Sequence, residues 1–161
     1  MTVQEFNNCV DLYSDGVYRF IVKNIGHEAD AQDIVQTSFE KLWVHREKVE
    51  FEKAKSYLFT VAYHQMIDHI RKQKNTTDNF EEVKGHTQTS ANAELKQMLM
   101  HAINQLNPTQ KSLVLLKDYE GYSYQEIGEI MNLSESQVKV YLHRARIILK
   151  GKLSHLEKMR A

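Results

Sequence analysis

The sequence predicts an all-α fold: two small helical domains joined by a flexible linker, the C-terminal one containing a helix-turn-helix. Three observations carry this. With one Pro and six Gly in 161 residues, no segment alternates over strand length, whereas apolar residues recur at steps of three and four. Residues 75–93, NTTDNFEEVKGHTQTSANA, are polar and carry no helical stripe, so they bury too little surface to offset chain entropy. Finally, two capping signatures, Ser123–Glu126 and Ser134–Gln137, place two helices with very little between them. The expected division is 1–74, a linker over 75–93, and 94–161.

Each element has its own signal. In the first helix Val3, Phe6, Val10, Tyr13, Val17 and Phe20 form one face. Thr2 and Glu5 make a capping box, Gly26 ends the helix, and Ser14-Asp15-Gly16 is a point of breakage or kinking. A second helix is expected from Asp30, as N-cap, to Arg46, with Ile34, Val35, Phe39 and Leu42 inward. A loop over Glu47 to Lys55 follows, then a third helix capped by Ser56 and running to Lys72, with Leu58, Phe59, Ala62, Met66, Ile67 and Ile70 apolar. Its basic end, Arg71-Lys72-Gln73-Lys74, suits the negative end of a helix dipole. Beyond the linker, Leu95, Met98, Leu99, Ala102 and Leu106 mark a fourth helix. Asn107, Pro108 and Gln110 restart the chain as N-cap, first helical residue and returning side chain. Leu113 to Leu116 is apolar all round, which makes that helix the centre of its domain, and Gly121 ends it.

The last pair reads as helix-turn-helix. Ile127 and Met131 face inward, Gly128 is small enough for close helix approach, and Asn132 suits a left-handed turn position. Leu133 plugs the corner, and Val138, Leu142, Ala145 and Leu149 form the inner stripe of the second helix. Glu135, Ser136, Lys139, Val140, His143 and Lys150 then point outward, flanked by Arg144 and Arg146. The chain is neutral overall, yet residues 136–161 hold seven Lys or Arg against one Glu. Local charge is what a polyanion feels.

Other classes fit poorly. No apolar run approaches the roughly 18 residues that span a bilayer, and the N-terminus lacks a basic-then-apolar leader. One cysteine, Cys9, permits no internal disulfide and reads as a small core residue. These features together suggest a cytoplasmic protein without membrane insertion. Among eight His, His64 and His69 lie five apart, on different helix faces, and no His-Glu-x-x-His occurs, so neither a metal site nor a cofactor is expected.

Several blocks resemble the extracytoplasmic-function (ECF) sigma factors, the small two-domain members of the sigma-70 family. They are Tyr124-Gln125-Glu126-Ile127-Gly128, Leu133-Ser134, and Gln137 through Arg146, with Ile103 to Pro108 as the entry segment. Asp30 to Trp43 is similar to the family's polymerase-binding helix. Tyr57 to Ala62 with Asp68 to Lys72 is similar to the helix that meets the promoter minus-ten element. The resemblance covers nearly the whole chain in the right order.

It implies a non-enzymatic factor that binds core RNA polymerase and directs it to promoters. Asp33, Gln36 and Glu40 would meet the β′ clamp helices, and the second domain the β flap. Phe51, Lys53 and Lys55 would hold a flipped base, while His64, Asp68, Arg71 and Lys72 would track DNA near the minus-ten element. Ser136, Gln137, Lys139, Val140, His143 and Arg144 would read the minus-35 element. An anti-sigma factor is a further implied partner. Gly128 stands where the family usually has Ala, a change expected only to tune packing, and Tyr63-His64 replaces a common Arg-Asn pair. The alternative is a stand-alone dimeric helix-turn-helix regulator that binds a palindrome without polymerase; a module binding an acidic protein partner is a third reading.

Overall fold

Seven α-helices organise the residues described by the computed structural model, 1–74 and 91–160. The first three are α1 (Val3–Ile25), α2 (Glu28–His45) and α3 (Ala54–Lys74), and they pack on one another as the N-terminal domain. The C-terminal domain holds α4 (Ala91–Asn104), α5 (Pro108–Val114), α6 (Tyr124–Met131) and α7 (Glu135–Arg160). No strand occurs among the described residues. Of the expected linker, residues 75–90 lie outside the described residues, and Ala91 already belongs to α4. No described helix is long and apolar enough to cross a membrane.

Local chemistry sets most helix ends. Thr2 and Glu5 bond reciprocally at the start of α1, as do Asn107 and Gln110 at α5 and Ser134 and Gln137 at α7. Each pair satisfies two amides that the helix leaves without partners. Asn132 takes the left-handed conformation at φ 56°, as the sequence predicts for that turn.

Four local expectations are corrected. Helix α1 runs unbroken through Ser14-Asp15-Gly16, because Gly16 lies against the Phe59 ring and the Arg19 and Glu120 side chains and tertiary contact outweighs its weak propensity. The α1 face is wider than the expected one: Val17 and Phe20 are buried and Phe6, Val10 and Tyr13 half-buried as expected, Val3 is exposed, and Cys9, Ile21 and Asn24 are buried beside them. Asp30 does not cap α2. His27 does, its Nδ1 accepting from the Asp30 amide at 3.2 Å, and Asp30 sits in the first turn, between His27 and His69. Nor does Ser56 cap α3; a 3₁₀ turn, Phe51–Lys53, leads directly into Ala54.

One continuous apolar core runs through both domains, from Phe20, Leu58 and Phe59 to Leu116, Ile127 and Leu142. The domains meet where α1 and α3 face α5 and α6. After α5 the chain passes through a π-helical turn, Leu115–Tyr119, closed by Glu120 N–H donating to Leu115 O and Tyr122 N–H to Leu116 O, both at 3.0 Å. Gly121 at φ 73° permits this left-handed exit. The exit delivers Tyr122 edge-on against Phe59, with ring centroids 5.0 Å apart.

Polar contacts line the same junction. Arg19 makes a forked pair with Glu120 at 3.1 and 3.3 Å. Lys111 Nζ donates to Asn24 O at 3.0 Å, and Ser112 Oγ to Asn24 Oδ1 at 3.4 Å. Lys23 lies 4.2 Å above the Tyr119 ring. Burial pushes the Lys111 ammonium pKa down to about 8, with no carboxylate among the described residues to offset its desolvation.

Candidate nucleic-acid interface

The helix-turn-helix is built on close approach. Asn132 and Leu133 both donate backbone amides to Gly128 O, which folds the turn back over α6. A Cβ on Gly128 would stand 2.5 Å from Leu133 O, closer than real contacts permit. Ala would therefore do more than tune packing here, contrary to the sequence expectation. Val138, Leu142 and Ala145 are buried on the inner side of α7 and Leu149 is half-buried, so the opposite face is set by helical period alone.

That face carries the predicted set. Ser136, Gln137, Lys139, Val140, His143 and Arg144 are all exposed. Positions 136, 139, 140 and 143 fall on one stripe, with Arg144 beside it. Gln137 is already engaged, its Oε1 accepting from Ser134 N–H at 2.9 Å. Lys139 has a loose exposed pair with Glu135 at 3.5 Å, of little energetic consequence. Arg146 is different: it forks onto Asp118 at 2.6 and 3.3 Å. That pair pins α7 to the π-helical turn and withdraws the guanidinium from the outer face. Arg144, which has no such carboxylate fork, is the freer cation.

The other predicted DNA residues do not form one cluster. His64, Asp68, Arg71 and Lys72 are exposed along the C-terminal part of α3, at helical steps of four, three and one. Asp68 and Arg71 approach to 3.8 Å. Phe51, Lys53 and Lys55 lie at the other end, roughly 25 Å away along the helix axis at 1.5 Å per residue from Lys55 to Lys72. Within that group Phe51 is half-buried and packed on the core, whereas Lys53 is exposed. Lys55 is turned to the second domain, 3.1 Å from Glu126 Oε2 and 4.4 Å above the Tyr122 ring. The adjoining Tyr63 is half-buried, shares a hydrogen bond with Thr109, and has its phenol pKa raised by burial.

Asp33, Gln36 and Glu40 are exposed together on α2, with Gln36 Nε2 donating to Glu40 Oε1 at 3.1 Å. Trp43, 38% exposed, continues this helix, stacked edge-on with Phe6 at 4.9 Å and beneath Arg46 at 4.0 Å. An acidic and amide-bearing stripe ending in an aromatic ring suits a basic protein surface.

Sequence reasoning missed the junction residues Arg19, Asn24, Lys111, Tyr122 and Glu126. Lys111 stands in the polar stretch Thr109-Gln110-Lys111-Ser112, ahead of the apolar run Leu113 to Leu116, so no local signal marked it as buried.

Both halves of the chain are similar to known proteins. Residues 9–76 match the family model "Sigma-70 region 2" and residues 96–149 match "Sigma-70, region 4", together about three quarters of the chain. The chain is 29% identical to the ECF RNA polymerase sigma factor SigM of Bacillus subtilis, over 94% of each chain. It is 28% identical to the ECF sigma factor SigL of Mycobacterium tuberculosis, over 91% of this chain and 87% of that one. Among solved structures, it resembles the sigma factor RpoE in complex with the anti-sigma factor NepR from Bartonella quintana. That match has a TM-score of 0.78 at 22% identity and covers 94% of this chain and 98% of the other. The fold of CnrH, solved with the cytosolic domain of CnrY, is also similar, with a TM-score of 0.69 at 20% identity, covering 97% and 89%.

Proposed function

This chain belongs to the sigma-70 family, among its ECF sigma factors, and from that premise we propose how its surfaces divide the work. It is a transcription initiation factor that binds core RNA polymerase and directs it to specific promoters. The observation that carries this is the pairing, in one chain and in order, of a region 2 match over α1–α3 with a region 4 match over α4–α7. A stand-alone dimeric regulator would account for the second match and leave the first without a role.

Residues 1–74 form the polymerase-binding and minus-ten domain, and the chain from α4 at Ala91 onward the minus-35 domain. On α2, Asp33, Gln36 and Glu40 meet the β′ clamp helices, and the second domain sits on the β flap. Lys139, His143 and Arg144 supply hydrogen bonds and charge to the minus-35 major groove, and Val140 an apolar contact for a thymine methyl. Ser136 sits at the N-terminal end of the reading helix, where phosphate or a base edge comes within reach. Gln137 acts mainly as the helix cap. His64, Asp68, Arg71 and Lys72 follow the DNA near the minus-ten element, and Lys53 and Lys55 attract the unpaired strand. The ring of Phe51 supports this loop from the core side. An anti-sigma factor is the partner expected to hold the protein inactive.

The test is reconstitution. Purified chain is added to core RNA polymerase on promoter fragments, and binding and run-off transcripts are measured. Specific transcripts that depend on the chain are expected. A chain that neither binds core nor permits initiation overturns the proposal, and binding to a palindrome without polymerase would favour the regulator.

A further inference from the structure

Four helices of this chain begin at a capping signature, and three of them use it fully. At α1, α5 and α7 the third helical residue, Glu5, Gln110 or Gln137, bonds back to its own cap. At α6 only half forms: Ser123 Oγ accepts from Glu126 N–H at 3.1 Å, and the Glu126 side chain leaves its helix. It crosses to the N-terminal domain, where Lys55 Nζ stands 3.1 Å from Oε2. That oxygen is shielded from solvent and has no well-aligned hydrogen-bond donor among the described residues. Lys55 is thus its electrostatic compensation. Local rules are most often broken where a site has another use.

The surroundings of Lys55 define that use. Its ammonium also lies 4.4 Å over the Tyr122 ring, which packs edge-on against Phe59 of α3. A carboxylate and an aromatic ring converging on one lysine offer what an unstacked nucleotide offers, an anion and a π-face. We propose that Glu126 and Tyr122 are an internal stand-in for promoter DNA, so that closure of the two domains and engagement of the melted strand compete for Lys55. This rests on the reading of Lys55 as a DNA contact.

Dimensions require such a competition to be resolved by opening. Elements named for positions minus-ten and minus-35 lie about 25 base pairs apart, or roughly 85 Å at 3.4 Å each. A compact chain of this length has a radius of gyration of only about 15 Å. The packed arrangement of α1 and α3 on α5 and α6 cannot reach both elements, and separating the domains frees Lys55. Arg19–Glu120 and Lys111–Asn24 hold the same junction without involving the DNA-reading residues.

The full-length chain is labelled at Ala29→Cys and Ser154→Cys, both exposed, while Cys9 stays buried. The inter-label distance and the affinity for an oligodeoxythymidine are measured in parallel. Glu126→Gln should lengthen the mean distance and raise affinity severalfold, below the limit of about tenfold set by an open state roughly a tenth populated. Tyr122→Leu, which leaves the α6 cap intact, should move both readouts the same way. Lys55→Gln should lengthen the distance without raising affinity, and oligonucleotide should open the unmodified chain. Glu126→Gln with wild-type distance and affinity, or Glu126→Gln or Tyr122→Leu opened with unchanged affinity, overturns the proposal. Failure of the sigma reading is separately visible as a wild-type chain that does not bind core polymerase, an assay in which Glu126 has no part.

Discussion

Replacing Lys111 by Met should strengthen the domain junction near neutral pH and weaken it in alkali. Lys111 is 8% exposed, and its charge is met by a carbonyl, Asn24 O at 3.0 Å, instead of a carboxylate. Holding its pKa at about 8 in place of the ordinary 10.5 corresponds to roughly 3 kcal/mol against burying the charged form. Met has nearly the same shape and no charge, so that penalty disappears. The substitution leaves Asn24 O without its donor, at about 1–2 kcal/mol. The net expectation is a variant more stable by about 1 kcal/mol at pH 7. The sign follows from proton binding: between about pH 8 and 10 the unfolded chain holds the Lys111 proton more tightly than the native one, so wild-type stability rises with pH. The contribution is complete above the unfolded pKa and is lost as pH falls through about 8. The variant lacks this rise, so its advantage should vanish or reverse by about pH 9.5. Urea unfolding followed by helical circular dichroism at the two pH values checks this, and the wild-type-minus-variant difference cancels the tyrosines, whose pKa values burial raises. Parallel pH profiles, or a variant less stable at pH 7, would refute the reasoning.

Three further outcomes are expected. Arg144→Ala should weaken promoter binding by about 1–3 kcal/mol if it reads a base, seen by titration at fixed salt; unchanged affinity removes Arg144 from the site. Gly128→Ala, whose Cβ would meet Leu133 O at 2.5 Å, should destabilise the second domain by about 1–3 kcal/mol, measured by thermal unfolding; an unchanged melt would show that the turn gives way freely. Glu40→Lys, on the exposed face of α2, should lower affinity for core polymerase without changing the unfolding midpoint; pull-down with core polymerase separates this from a folding defect.

The helix-turn-helix was legible because its signals are local. The capping pair at α7 lies within four residues, and the Asn132 turn is dictated by a single dihedral that few residues tolerate. The exposed set on α7 followed from the buried stripe by helical period. Phe51 was harder to place, because a ring in a loop can face core or solvent at similar cost, and packing against the core decided it.

Composition and periodicity alone determined the helices, most of their ends, the turn of the DNA-reading unit and its exposed face. Each of these rests on interactions between residues three to five positions apart. Tertiary structure alone decided that α1 runs unbroken, that Lys111 is buried, that Arg146 is bound to Asp118, and that Glu126 abandons its helix for Lys55. The partners at the domain junction are 101 residues apart for Arg19 and Glu120 and 87 for Lys111 and Asn24. No local pattern encodes such pairs, because their free energy exists only once two separately formed surfaces exclude water together.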